Sequence, residues 1–287
     1  MTTDTTQSLV CTRLQNVLFV TINRPQARNA LNAEVVGAIA QLARDARADE
    51  DLRAIVLRGA RGFFCAGGDV SDFKSRLDAV SADVDPVAQR NRAFGAFMET
   101  VVSIPVPLIA VVEGAALGGG MGLACMADIV LATPQARFAL TETSLGVVPA
   151  QIMPFVVRRI GTVRARRMGL SAERVAGEEA VRLGIVDALA GDTDALDELL
   201  AQWLTRIGRC APHANRLMKT MAGEAAEMPR SAFLDQAAHG FSRCMQDEGQ
   251  AGIAAFRARE PAPWCIEFSP GDIRAVYVGQ GTHGAIA

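Results

Sequence analysis

Short apolar runs of strand length alternate with longer amphipathic stretches through the first two thirds of this chain, and that alternation restricts the fold more than any other feature. Val17 to Ile22 and Ala54 to Leu57 read as strands, with Ala33 to Arg47 between them spaced as a helix. The series continues with a helix near Val87 to Val102, a strand at Leu108 to Val112, a Gly-rich turn, a helix ending near Ala127 and a strand at Ile129 to Ala132. Such βαβ patterning predicts parallel strands joined by right-handed crossovers. After about Gln151 strand signals almost vanish, and Ala195 to Arg209, Pro212 to Ala222, Ser231 to Gln246 and Gly249 to Arg259 carry helical spacing. The expected fold is therefore α/β followed by helices. Between Ser75 and Pro86 the polar sequence predicts a loop joining two helices, and Ile273 to Val278 reads as a strand-like piece in the tail.

Composition removes several function classes. Twenty-nine basic and 31 acidic residues nearly cancel, and no basic run or stripe marks a nucleic-acid surface. The most apolar region, Ile104 to Ala132, is broken by Pro105, Pro107, Glu113 and Asp128, which is wrong for a membrane span. The first ten residues show no basic region followed by an apolar run, so the reading expects no signal peptide and a cytoplasmic location. Six scattered cysteines without a CxxC pair and three distant histidines (His213, His239, His283) predict neither a disulfide framework nor a metal site. Cys65 and Cys125 read as packing residues because no histidine accompanies them.

Two short segments carry the chemistry. In Glu113 to Asp128, EGAALGGGMGLACMAD, three glycines (Gly118 to Gly120) stand between a strand and a helix, where backbone can approach a ligand closely and the first helical N–H groups are free. Phe64 to Val70, FCAGGDV, repeats the device after the preceding strand, with Asp69 placed as the N-cap of a following helix. One N–H from each turn, set around a single carbonyl oxygen, would make an oxyanion hole.

These segments, taken with NRPQARNALN (Asn23 to Asn32), FALTETSLGVVPA (Phe138 to Ala150), VAGEEAVRLGIVDAL (Val175 to Leu189) and EGQAGIAAFRARE (Glu248 to Glu260), resemble the successive signatures of the enoyl-CoA hydratase/isomerase, or crotonase, superfamily. The resemblance spans roughly residues 8 to 264. It implies a spiral core of repeated ββα units over 1–193, a C-terminal helical trimerisation module over 194–264, a tail of unassigned role over 265–287, and assembly as a trimer or a dimer of trimers. It also implies an acyl-CoA thioester as substrate, with coenzyme A part of that substrate and no separate cofactor.

By the same resemblance the oxyanion donors fall on Gly68 and Gly119, and CoA runs past Ala27, Ala66, Asp69 and Val70, with Leu117 near the thioester. Hydratases of the family usually carry two glutamates. The later one is present as Glu142; at the earlier position stands Gly122, which is expected to leave room for a bulky, branched or carboxylated acyl group. Glu142 is then the general acid/base. Hydration by Glu142 alone is the first reading, supported by likeness of Gly146 to Gly161 and Arg209 to Lys219 to bacterial hydratases of branched glutaconyl-type CoA esters. Double-bond isomerisation by the same glutamate is the second, and a non-catalytic acyl-CoA-binding protein is a third of another class. Glu113 is a weak candidate for a substitute second carboxylate, and Asp128 reads as a cap. The arginines at 158, 159, 164, 166 and 167 form the densest basic stretch and read either as a solvated helix face or as partners for CoA phosphates or a substrate carboxylate.

Overall fold

The computed structural model describes residues 7–69 and 85–282. The first strands, β1 (Leu9–Leu14) and β2 (Val17–Ile22), form an antiparallel hairpin, and β2 then pairs in parallel with β3 (Ala54–Gly59). Strand β4 (Leu108–Val112) joins β3, β6 (Ile129–Ala132) joins β4, and the two-residue β9 (Ala188–Leu189) closes the edge, all in parallel. The resulting order is β1-β2-β3-β4-β6-β9. A second, smaller sheet is built from β5 (Ala115–Leu117), β7 (Arg137–Ala139) and β8 (Val175–Ala176). In the middle of the chain β4 of the large sheet is followed by β5 of the small one before the helix Gly119–Met126, and β6 by β7 before the helix Met153–Ile160, which are ββα units of the spiral.

Every residue of β3 and β4 is buried, as a parallel strand covered on both faces requires. One face packs on α1 (Ala33–Ala48), α2 (Pro86–Val102), α3 (Gly119–Met126), α4 (Met153–Ile160), α5 (Thr162–Ser171) and α6 (Gly177–Leu183). Helix α1 shows why: Val35, Ile39, Ala43 and Ala46 recur at helical spacing on its inner face, and the Asn32 side chain accepts the Val35 N–H to start it. Asp85 caps α2 in the same way, through the Val87 and Ala88 N–H groups, with Pro86 at the first helical position.

The opposite face is covered by α7 (Thr193–Gly208), through Leu196, Leu200 and Leu204, and by the tail. The tail departs from the reading of its sequence. Ile273 to Val278 lies inside a helix, α11 (Pro270–Gly279), not a strand. Ser269 forms a capping box with Asp272 and Pro270 occupies the first turn, while Ile273, Val276 and Tyr277 fall on one helical face and are buried. The β-branched residues gave a strand signal; the cap and the i, i+3, i+4 burial decide for helix. Under this cover Arg58 donates to Glu113 (2.6 and 2.9 Å) and Asp197 (2.8 Å), lies 4.4 Å over the Tyr277 ring, and is almost fully buried.

The remaining helices are α8 (Pro212–Glu224), α9 (Arg230–Cys244), a π turn at Met245–Gly249 and α10 (Gln250–Ala258). Across α8, α9 and α10 only Gly240 is fully buried, and Met218, Leu234, Phe241, Ile253 and Phe256 are exposed. No helix among the described residues is long and apolar enough to cross a membrane. The expected Ser75 to Pro86 loop and the helix expected after Asp69 fall almost wholly outside the described residues.

Candidate active site

One Gly-containing turn follows β3 and the other leaves the carboxyl end of β5. After β3 the chain is pinned on one side to β5, by Cys65 N–H to Ala115 C=O (2.9 Å) and Leu117 N–H to Cys65 C=O (3.0 Å). On the other side it is pinned to Leu31: Leu31 N–H donates to Gly67 C=O (2.8 Å) and Asp69 N–H to Leu31 C=O (3.0 Å). In a parallel bridge of this kind the bonded groups belong to the residues flanking Gly68, so the N–H of Gly68 itself points the other way. It donates to no protein group among the described residues.

The second turn presents its donor by a different route. The Gly118 N–H is spent on Ala139 C=O (2.9 Å), and α3 begins at Gly119, whose N–H, in the first helical position, has no acceptor within the helix. Gly118 has φ +49° and ψ −118°, a conformation that a side chain would strain, and it lets the chain reverse from β5 into α3. The two turns approach closely: a Cβ placed on Gly119 would stand 3.6 Å from the Gly68 amide nitrogen, and one on Gly67 would stand 3.4 Å from the Gly119 amide nitrogen. Two unpaired N–H groups, one assisted by a helix N-terminus, therefore share one small space.

Glu142 opens a 3-10 turn, Glu142–Leu145, anchored by the Thr143 hydroxyl to Gly169 C=O (2.7 Å) and ended by Gly146 in the left-handed region. Its carboxylate reaches back to α3: a Cβ on Gly118 would stand 2.9 Å from Glu142 Oε1. Glu142 Oε2 is buried and has no hydrogen-bond partner among the described residues. Burial pushes the Glu142 carboxyl above the ordinary range, against the smaller opposing pull of the Glu142 and Thr141 backbone N–H groups. A buried carboxylate with a free oxygen, beside two free donors, is suited to hold and release a proton.

The other expected positions separate into those near this space and those away from it. Leu117 is half-buried and joins the two turns, and Ala66 is tied to Arg28 C=O (3.0 Å). Asp69 pairs with Arg24 (3.0 Å), Ala27 lies in the adjoining 3-10 turn Pro25–Ala27, and Val70 is outside the described residues. Gly122 does not meet its expectation. A Cβ there would lie 2.6 Å from Ile152 Cγ2, 2.9 Å from Ile152 Cβ and 2.9 Å from Met98 Cε, so the space that a missing glutamate would leave is filled by hydrocarbon. Glu113 is not a second carboxylate of the site, because both of its oxygens are committed to Arg58 and Thr193 under the far face of the sheet.

Cys65 and Cys125 are buried and pushed up to about 12 by burial, so neither is a ready thiolate. Several of the arginines do more than solvate a helix: Arg159 donates to Ala127, Gly184 and Ile185 carbonyls and pairs with Asp187, while Arg164 donates to Leu183 C=O. Asp128 accepts the Leu108 N–H (2.7 Å) and pairs with Lys219. Among the described residues His213, Asp247 and Glu248 bring ligating atoms together; the Glu248 oxygens already accept the His213 and Ala214 N–H groups at the start of α8, and His213 faces Asp247. Ile152 and Met98 were not legible as site residues, since their role depends on the side chain absent at Gly122.

The profile described as Enoyl-CoA hydratase/isomerase matches residues 12–266. A 2,3-dehydroadipyl-CoA hydratase of Escherichia coli (strain K12) is 32% identical over 250 residues, covering 86% of this chain and 94% of its own. Among solved structures, Pseudomonas aeruginosa AtuE is 43% identical with a TM-score of 0.87, over 90% of this chain and 100% of that one. An enoyl-CoA hydratase/isomerase from Marinobacter aquaeolei is 38% identical with a TM-score of 0.86, over 90% of this chain and 99% of that one.

Proposed function

Because this chain belongs to the enoyl-CoA hydratase/isomerase family, we propose that it adds water across the 2,3 double bond of an acyl-CoA thioester, with Gly68 and Gly119 as oxyanion donors and Glu142 as sole acid/base. The observation that carries this reading is that, among the described residues, two unpaired amide N–H groups and one buried, unpartnered carboxylate oxygen lie at the N-terminus of α3. The thioester oxygen accepts both N–H groups. Ionised Glu142 takes a proton from water as the water oxygen bonds to C3; the double-bond electrons move through C2 to the thioester oxygen, giving an enolate held by the two donors. Glutamic acid then returns that proton to C2, which restores the carbonyl and leaves a 3-hydroxyacyl-CoA.

The donors are main-chain groups whose directions are set before substrate arrives, so stabilising the enolate costs little reorganisation. CoA would run along Ala27, Ala66, Asp69 and Val70, with Leu117 beside the thioester, while the filled space at Gly122 removes the support that position gave to a branched or carboxylated acyl group. Isomerisation of a 3-enoyl-CoA is the second reading, favoured by one observation: hydrocarbon stands where a second carboxylate would be, and moving a proton between two carbons needs only one base. We keep the division into a core over 1–193 and an assembly module over 194–264, with α7 serving also as cover for the sheet. A homotrimer, or a dimer of trimers, is supported by the exposed Leu234, Phe241 and Phe256 and by a recess of about 510 Å³ lined by Val148, Met153, Val157 and Leu170, surfaces that one copy leaves open to water.

The deciding experiment follows the conjugated thioester absorbance across a panel of CoA esters. Hydration removes that absorbance from 2-enoyl-CoA; isomerisation creates it from 3-enoyl-CoA; a binding protein does neither. Glu142→Gln should suppress turnover while CoA-ester binding persists, and a variant as active as the parent rejects the role given to Glu142.

A further inference from the structure

Gly118 is the N-cap of α3, with non-helical backbone, and Gly122 lies one turn into the helix. Over Gly118 sits the Glu142 carboxylate, 2.9 Å from the Cβ position; over Gly122 sit Ile152 and the Met98 methyl, at 2.6 to 2.9 Å. Carboxylate thus meets the start of the first turn of α3 and hydrocarbon meets its end. Ile152 is 3% exposed and is the residue that starts α4. Its neighbour Gln151 lies against Gly95 of α2, with Oε1 2.1 Å from the Cβ position there, and donates to Asn91 Oδ1 (2.7 Å). The loop carrying Ile152 is therefore keyed into α2 by the absence of a side chain at Gly95, and Ile152 into α3 by the absence of one at Gly122.

We propose that Ile152 is a specificity-determining residue: it takes the volume a side chain at 122 would need, puts hydrocarbon on the first turn of α3 where the family's second carboxylate would stand, and so sets how large an acyl group fits beside the reacting carbons. This rests on the acyl-CoA reading of the site but not on which reaction occurs there. The same contact holds the site to one carboxylate, because a glutamate at 122 and an isoleucine at 152 cannot occupy the same space. The apolar wall also fits the Glu142 carboxyl being raised by burial.

The test uses two saturated, unreactive CoA esters, butyryl-CoA and its 3-methyl-branched relative isovaleryl-CoA, titrated calorimetrically into the full chain. Ile152→Ala should shift the ratio of dissociation constants about tenfold towards the branched ester, the scale of one methyl in a hydrophobic pocket. Ile152→Val, which disturbs packing less, should shift it in the same direction by a smaller factor. Gly122→Glu alone should lower the melting temperature sharply, and much less when combined with Ile152→Ala. A ratio unchanged within twofold in both 152 variants, or a Gly122→Glu cost that is the same with either residue at 152, overturns the proposal. Binding of the esters without any turnover of enoyl-CoA would remove the proposed reaction alone, whereas no binding of either ester to the unmodified protein would remove both.

Discussion

Replacing Gly119 by alanine should separate folding from catalysis. The added methyl would stand 3.4 Å from Leu31 Cδ1, 3.4 Å from Phe94 Cζ and 3.6 Å from the Gly68 nitrogen. The first two contacts are tight but meet side-chain ends that can yield by a few tenths of an ångström. Gly119 opens α3, where alanine is the better helix former by up to about 1 kcal/mol, so the contacts and the propensity largely offset each other. The net change in stability should stay within about 1 kcal/mol, a shift of a few degrees in melting temperature for a chain of this size. The substrate oxygen has no such latitude. Alanine keeps the residue-119 N–H, so the effect is steric: a methyl carbon 3.6 Å from the Gly68 nitrogen crowds the space in which an acceptor must lie about 2.9 Å from that atom. Where that crowding moves the oxygen off the Gly68 N–H, the penalty is that of one lost oxyanion donor, about 10²–10³ in rate, or about 2.7–4 kcal/mol. Calorimetric melting read beside kcat/KM for crotonyl-CoA should therefore show a protein as stable as the parent and at least a hundredfold slower. An alanine variant that keeps activity within threefold would refute the placement of the oxygen between these turns.

Glu142 should also be visible in pH dependence. Its carboxyl is raised above the ordinary range in the folded chain, so folding stability tied to it is fully present below the unfolded value of 4.5 and is lost as pH rises through the folded value. Glu142→Gln should then be more stable than the parent at pH 7, with the advantage vanishing in acid; equal stability at both ends would contradict the burial assigned to this group. In the parent, kcat/KM for hydration should fall on the acid side with an apparent pKa above 4.5. Glu113→Ala leaves Arg58 buried against Asp197 alone, and breaking such a buried pair costs about 3–5 kcal/mol, measurable by urea unfolding at pH 7. A loss under about 1 kcal/mol would mean that water reaches Arg58 freely.

Much of this architecture is legible in sequence because burial on both faces forces continuous apolar strands. Val17–Ile22, Leu108–Val112 and Ile129–Ala132 stand where periodicity places them. The tail reads as a strand because Ile273, Val276 and Tyr277 are strand-formers by type, whereas Ser269, Pro270 and Asp272 impose a helix start. The two-residue β8 and β9 give no periodic signal, and tertiary pairing alone makes them strands. At the site, Gly68, Gly119 and Glu142 come from motifs whose chemistry is local to short segments. The filling of Gly122 depends on Ile152 and Met98, from two other helical regions, and no pattern within one segment reports a contact between three.

The central claim is that the Gly68 and Gly119 amides meet on one thioester oxygen, and isotope-edited infrared difference spectroscopy of bound crotonyl-CoA labelled with ¹³C at the carbonyl reads that directly. Two converging donors should move the carbonyl stretch to clearly lower frequency than in water, and Gly119→Ala should reverse most of the shift. A bound carbonyl with its solution frequency would contradict the account, because the oxygen would then be polarised by nothing more than it meets in solvent.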